Sequence, residues 1–147
     1  MEEGETKEEI IVVTSGYFDP LHIGHIECLR LAKQLGDKLI VIVNNDEQAL
    51  LKKSSSFMPL SERVEIIKEL GCVDEVFISI DKDRTVCKSL EAIKPHIFAK
   101  GGDRTADEIP EAEICRQIGC KIIDGLGKKI QSSSWLLGKD KEENQNP

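Results

Sequence analysis

Five short apolar runs, each followed by a stretch that ends at glycine, proline or a polar cluster, constrain this chain more than any other feature. The first two, residues 10–16 (IIVVTSG) and 38–46 (KLIVIVNND), are rich in β-branched residues and do not alternate. A strand with one wet face alternates, whereas an unbroken run of this length fits a strand covered on both faces. Residues 73–80, 96–103 and 120–124 complete the set. Between the first two, Cys28, Leu31 and Leu35 fall on one helical face, widened by Ile26, Leu29 and Ala32, and Gly36 stops the helix. Residues 59–70 form a helix with Val64, Ile67 and Leu70 inward, stopped by Gly71. Residues 85–93 form a short helix closed by Lys94-Pro95. Pro110 suits the first position of a helix through Ile118, ended by Gly119, and residues 131–137 read as a serine-capped helix start. Residues 44–56 read as a polar loop, with 52–56 its mobile part.

Such alternation predicts a doubly wound α/β fold, a five-stranded parallel sheet with helices on both faces and right-handed crossovers. Ligands in these sheets sit beyond the C-terminal strand ends, near the switch point. The loops that matter are therefore 15–25, 44–56, 100–103 and 129–134, and they carry the unusual residues of the chain.

At 147 residues the chain suits one domain, expected over 10–137. Residues 1–9 form an acidic tail and 138–147 a polar one, both expected to be disordered. Of the net charge of −7, residues 1–10 carry −4 and 138–147 carry −1. The body has no basic stripe, so no nucleic-acid polymer is expected as a partner. No apolar run reaches the roughly 18 residues of a membrane span, and the N-terminus lacks the shape of a signal peptide. A cytoplasmic protein that does not engage membranes is expected. The five cysteines include no CxxC pair and are expected as free thiols.

The stretch SGYFDPLHIGHIECL places His22 and His25 between the first strand and the first helix. His22, His25 and Cys28 are possible zinc ligands, but a structural zinc site needs four and no second pair is visible, so no metal ligands are assigned. Two satisfied, partly buried histidines are the plain alternative. Phosphate binding carries more weight. Gly16 and Gly24 let backbone approach a ligand, and the helix starting near Gly24 offers free N–H groups to an anion. Two imidazoles there can donate to a phosphate whose charge redistributes during displacement.

GYFDPLHIGH resembles the signature of the HxGH nucleotidyltransferases, in their cytidylyltransferase-like branch. The similarity continues through LAKQLGDKLIVIVNND, PLSERVEIIKEL, VDEV, KGGD and the late SSS, and covers roughly residues 11–137. The pattern is similar to that of glycerol-3-phosphate cytidylyltransferases, the adenylyltransferase domain of bacterial heptose synthases and archaeal FAD synthetases. The resemblance implies a Rossmann-like fold and transfer of a nucleotidyl group to a phosphorylated sugar or polyol, with release of pyrophosphate. CMP from CTP is favoured as the group transferred, with ATP acting on a heptose-type sugar phosphate or FMN as the alternative. Magnesium is expected with the triphosphate, and a homodimer is expected by family habit.

By the same resemblance His22 and His25 stabilise the transition state at the α-phosphorus. Backbone at Gly16, Tyr17 and Phe18 lines the triphosphate, and Asp19 shapes that loop. Lys52 and Lys53 match a lysine-bearing loop from which one reaches the phosphates, Lys53 being grouped with the catalytic residues. Arg63 matches an arginine that faces a phosphate of the acceptor or the triphosphate. Gly101, Gly102 and Asp103 match a turn near the nucleobase, and Ser132, Ser133 and Ser134 a helix start that holds the β- and γ-phosphates. The plain readings are a solvated loop for the lysines, a surface helix arginine or ion pair for Arg63, a glycine turn and a helix cap.

Tyr17 departs from the pattern, which has a smaller residue there, and Lys128 and Lys129 stand where an arginine is usual. KGGD favours the ATP-using branch, while the lack of a fused kinase fits a cytidylyltransferase. A nucleotide-binding sensor module without catalysis is the rival class. A redox pair of Cys115 and Cys120 is a further idea, depending on whether the two face each other.

Overall fold

A computed structural model describes residues 8–18, 21–53, 58–101 and 109–126 of the chain. Its elements are β1 (Ile11–Gly16), α1 (Ile23–Lys33), β2 (Lys38–Val43), α2 (Asp46–Lys53), α3 (Leu60–Lys68), β3 (Glu75–Ile78), α4 (Cys87–Ile93), β4 (Ile97–Gly101), α5 (Ala112–Ile118) and β5 (Lys121–Leu126). The strands form one parallel sheet in the order β3-β2-β1-β4-β5. This is the doubly wound, Rossmann-like fold expected from the sequence.

Burial on both faces explains the unbroken apolar runs. Val12, Leu39, Val41 and Val43 face one cluster, with Leu29 and Ala32 of α1 and Val64 and Ile67 of α3. Their neighbours Val13, Ile40 and Ile42 face the other, with Leu90 of α4 and Ala112 and Cys115 of α5. The period of two in side-chain direction thus survives where the period in polarity has vanished. Truncating a fully buried member such as Ile42 to alanine would cost about 2–5 kcal/mol.

Element ends differ from the sequence expectation by a few residues, but one difference is larger. Residues 46–53 form helix α2, where a polar loop was expected. The helix buries Gln48 and Ala49 and leaves Leu50 and Leu51 exposed, so it has no apolar stripe to read. Asp46 and Glu47 in its first turn suit the positive end of the helix dipole. The expected helix over 110–118 begins instead at Ala112, with Pro110 in the preceding turn.

Gly119 (φ 75°) caps α5 and turns the chain back, and the Cys120 N–H donates to the Cys115 carbonyl at 2.8 Å. The turn brings the two buried thiols close enough to shift each other's titration, a proximity that the sequence left open. The contact with Cys115, with burial second, pushes the Cys120 thiol far up. All five cysteines are free. Among the described residues no helix is long and apolar enough to cross a membrane. Residues 1–7 and the predicted tail over 138–147 lie outside the described residues, while Glu8 reaches His96 Nε2 at 2.8 Å.

Candidate active site

Strands β1 and β4 lie side by side, and the connections leave them for opposite sides of the sheet order. The switch point is therefore at their C-terminal ends, where the β1–α1 loop begins. Phe18 in that loop has φ 52°, a left-handed conformation costly for a non-glycine residue. Its buried ring holds it there. The ring lies over Gly16, where an added Cβ would come within 2.7 Å of Phe18 Cζ, and meets the His25 ring edge-on at 5.1 Å.

His22 and His25 form a reciprocal cap on α1. His22 Nδ1 accepts from the Gly24 N–H at 3.2 Å, and His25 Nδ1 accepts from the His22 N–H at 3.1 Å. The pattern is that of a capping box, built from imidazoles in place of hydroxyl and carboxylate. It fixes the tautomers: a neutral imidazole whose Nδ1 accepts carries its proton on Nε2. The ring centroids are 3.8 Å apart. The helix therefore begins with two adjacent Nε2–H donors. Gly24 makes room for one of them, since a Cβ there would lie 3.1 Å from His22 Cε1. The sequence reading gave this glycine to a ligand; the structure gives it first to the His22 ring.

Arg63 is not a surface residue, and the ion pair that the sequence allowed forms with Asp46 in place of a nearby glutamate. Its side chain is 0% exposed. Nε donates to the Met58 carbonyl at 3.0 Å, and Nη1 to the carbonyls of Tyr17 at 2.9 Å and Asn44 at 2.6 Å. Nη2 pairs with Asp46 Oδ1 at 2.7 Å. The guanidinium thus ties the loops after β1 and β2 to α3.

A second polar cluster fixes the β2–α2 and β3–α4 connections. Asn45 Nδ2 donates to the carbonyls of Ser79 and Asp81, both at 3.0 Å. Gln48 Nε2, wholly buried, donates to those of Asp83 at 2.7 Å and Thr85 at 2.8 Å. The buried Asp81 accepts from the N–H groups of Lys88 and Ser89 and from Ser89 Oγ. None of these residues was singled out from the sequence; only the polar NND after β2 hinted at them.

Tyr17 reaches this connection. Burial raises the pKa of its phenol above the ordinary value, against the pull of the exposed Arg84 guanidinium. Lys52 and Lys53 end helix α2, in place of the expected mobile loop. Gly101 ends β4 beside β5, where a Cβ would meet the Leu126 carbonyl oxygen at 2.9 Å. Asp19, Gly102, Asp103, Ser132, Ser133 and Ser134, and the side chains of Lys52 and Lys53, lie outside the described residues. Among the described residues no three His, Cys, Asp or Glu side chains gather as a metal site.

A doubly wound sheet with paired imidazoles capping the helix after its central strand defines a domain of the nucleotidyltransferase class. The chain belongs to the Cytidylyltransferase-like family, whose model matches residues 13–140. It is 34% identical over 132 residues to the bifunctional protein HldE of Pelobacter propionicus, covering 88% of this chain and 25% of that one. It is 38% identical over 114 residues to the FAD synthase of Pyrococcus abyssi, covering 77% of this chain and 76% of that one. The chain thus spans about a quarter of the length of its HldE relatives. The lipopolysaccharide core biosynthesis protein of Thermoplasma volcanium superposes with a TM-score of 0.68 at 31% identity, over 80% of this chain and 96% of that one. A pantoate-beta-alanine ligase from Francisella tularensis, 18% identical with a TM-score of 0.54 over 82% of this chain and 60% of that one, shares the fold.

Proposed function

We propose that the protein transfers a nucleotidyl group from a nucleoside triphosphate, ATP in the first instance, to a phosphorylated small molecule, with release of pyrophosphate. The observation that carries the reading is the pair of Nε2–H donors at the start of α1, 3.8 Å apart between ring centroids. An oxygen of the acceptor phosphate attacks the α-phosphorus while the bond to the β-phosphate oxygen breaks. Charge that builds on the α-phosphate oxygens meets both imidazole donors. A phosphate monoester is largely dianionic at neutral pH, with a second pKa of about 6, so the step asks for no general base.

Magnesium belongs to this proposal as part of the substrate. It travels with the triphosphate and neutralises phosphate charge, bound mainly by phosphate oxygens and water. The remaining positions carried by family resemblance, Lys52 or Lys53, Gly101, Gly102, Asp103, Ser132, Ser133 and Ser134, belong to it too, as do a homodimer and a cytoplasmic location.

Chemistry in the relatives supports ATP over the CTP favoured from the sequence. FAD is an adenylylated flavin, and the FAD synthase is matched over 76% of its length. A sugar phosphate is the first choice of acceptor, because the Thermoplasma protein is named for lipopolysaccharide core biosynthesis. FMN is the second, from the FAD synthase. Pyrophosphate release, measured with ATP and CTP against sugar phosphates, glycerol 3-phosphate and FMN, tests the reading. Turnover with ATP and a sugar phosphate is expected. Tight nucleotide binding by calorimetry without pyrophosphate from any pair would replace the enzyme with a binding module.

A further inference from the structure

The turn that ends α5 is closed twice. The Cys120 N–H donates to the Cys115 carbonyl at 2.8 Å and the Gly119 N–H to the Arg116 carbonyl at 3.4 Å, with Gly119 left-handed at φ 75°. These nested bonds form the Schellman pattern, in which the side chains at the two outer positions commonly pack on each other. Here both outer positions are cysteines, and both thiols join the core cluster of Val13, Ile40 and Leu90. Among the described residues no other two cysteines share a cluster.

Backbone geometry decides whether the two can be bridged. A carbonyl oxygen lies about 2.4 Å from its own Cα, and an amide nitrogen about 1.5 Å from its own. With the 2.8 Å hydrogen bond between them, the two Cα atoms are no more than about 6.7 Å apart, and closer wherever that path bends. A disulfide tolerates Cα separations of about 4.4–6.8 Å. The Cys120 thiol also draws the Cys115 pKa down from its ordinary value against burial, which makes Cys115 the readier nucleophile. Arg116, Gln117 and Gly119, between the two cysteines, are exposed, so the pair sits just under the surface.

We propose that Cys115 and Cys120 are an oxidative modification site, where a small hydroperoxide forms a reversible disulfide that locks the α5–β5 corner. The Cys115 thiolate attacks the O–O bond, takes one oxygen as a sulfenic acid and releases the other as water or an alcohol. The Cys120 sulfur, giving up its proton, then attacks the Cys115 sulfur, the S–O bond breaks and water leaves. The two thiols lose two electrons and two protons, and the peroxide gains them. The bond ties the end of α5 to the start of β5, where the Lys121 N–H donates to the His96 carbonyl at 2.9 Å. That is the edge of the sheet opposite His22 and His25, so the lock bears on stability and asks nothing of the candidate active site.

The test uses the native, fully reduced protein, treated with hydrogen peroxide, blocked with an alkylating reagent and digested with trypsin. Cleavage after Arg116 and after Lys121 separates the two cysteines, so a bridge leaves the peptides that end at those residues joined. That joined pair is expected in the mass spectrum, parted by dithiothreitol, with Cys28, Cys72 and Cys87 still alkylated. The bridged protein is expected to unfold about 5 °C above the reduced one. Alkylation of both Cys115 and Cys120 after peroxide, joining of either to another cysteine, or a bridge that forms only in urea overturns the assignment. A bridged protein that melts no higher than the reduced one overturns the lock.

Discussion

Arg63, enclosed in helix α3, donates a 2.9 Å hydrogen bond to the carbonyl of Tyr17, 46 positions earlier in the chain. The same nitrogen reaches the Asn44 carbonyl at 2.6 Å, so one guanidinium fixes the ends of both β1 and β2. The β1–α1 loop thus depends on a residue that shows none of its side chain to solvent.

Replacing Arg63 by alanine removes a donor from those carbonyls and the guanidinium from Asp46. The expected loss is about 3 kcal/mol or more, read from urea unfolding. Arg63→Lys should lose nearly as much, because an ammonium lacks the fork that reaches four acceptors at once. A wild-type midpoint in both variants would reject the bracing role.

The two jobs of His22 can be pulled apart. Alanine removes the cap and the Nε2–H donor together, and should cost about 1 kcal/mol of stability. Asparagine can still cap α1 but offers no imidazole donor, so His22→Asn should keep near wild-type stability. Both variants should lose about 10²-fold or more in kcat. Full turnover in His22→Asn would show that the ring serves only the helix.

Gly24→Ala should leave stability within about 1 kcal/mol of wild type, since alanine favours the helix. The new methyl nonetheless presses on His22 Cε1, 3.1 Å from the added Cβ, and tilts the donor. A fall in kcat/KM of about tenfold is expected from so small a displacement. Loss of folding without this kinetic effect would contradict the contact.

Acid stability should report Asp74. Its carboxyl is held below its ordinary pKa of 3.8 by the hydrogen bond from Lys33 Nζ and by that from the Leu39 N–H. The folded carboxylate therefore binds a proton less readily than the unfolded one. Its stabilising contribution is complete above about pH 4 and disappears as the pH falls through the lower folded value. Asp74→Asn should flatten that limb of the stability curve, and an unaltered slope in thermal unfolding between about pH 4 and 2 would count against the pair.

Local regularities made the sheet legible. IIVV and KLIVIV have no polar side to turn outward, so they had to be strands covered twice, as Val12 and Val13 are. His22, Gly24 and His25 were legible as a group, because a helix start and its cap are set by residues three apart. Helix α2 was not, since it buries Gln48 in a polar network instead of an apolar stripe.

By itself, then, the sequence determined the strand pattern, the winding of the sheet and the position of the two histidines, because apolar periodicity and capping act over a few residues. Only the tertiary structure decided what Arg63, Gln48, Tyr17 and the Cys115–Cys120 pair do. A buried polar group must be matched by whatever partner the fold brings to it, and for Arg63 and Gln48 those partners include residues 46 and 37 positions away.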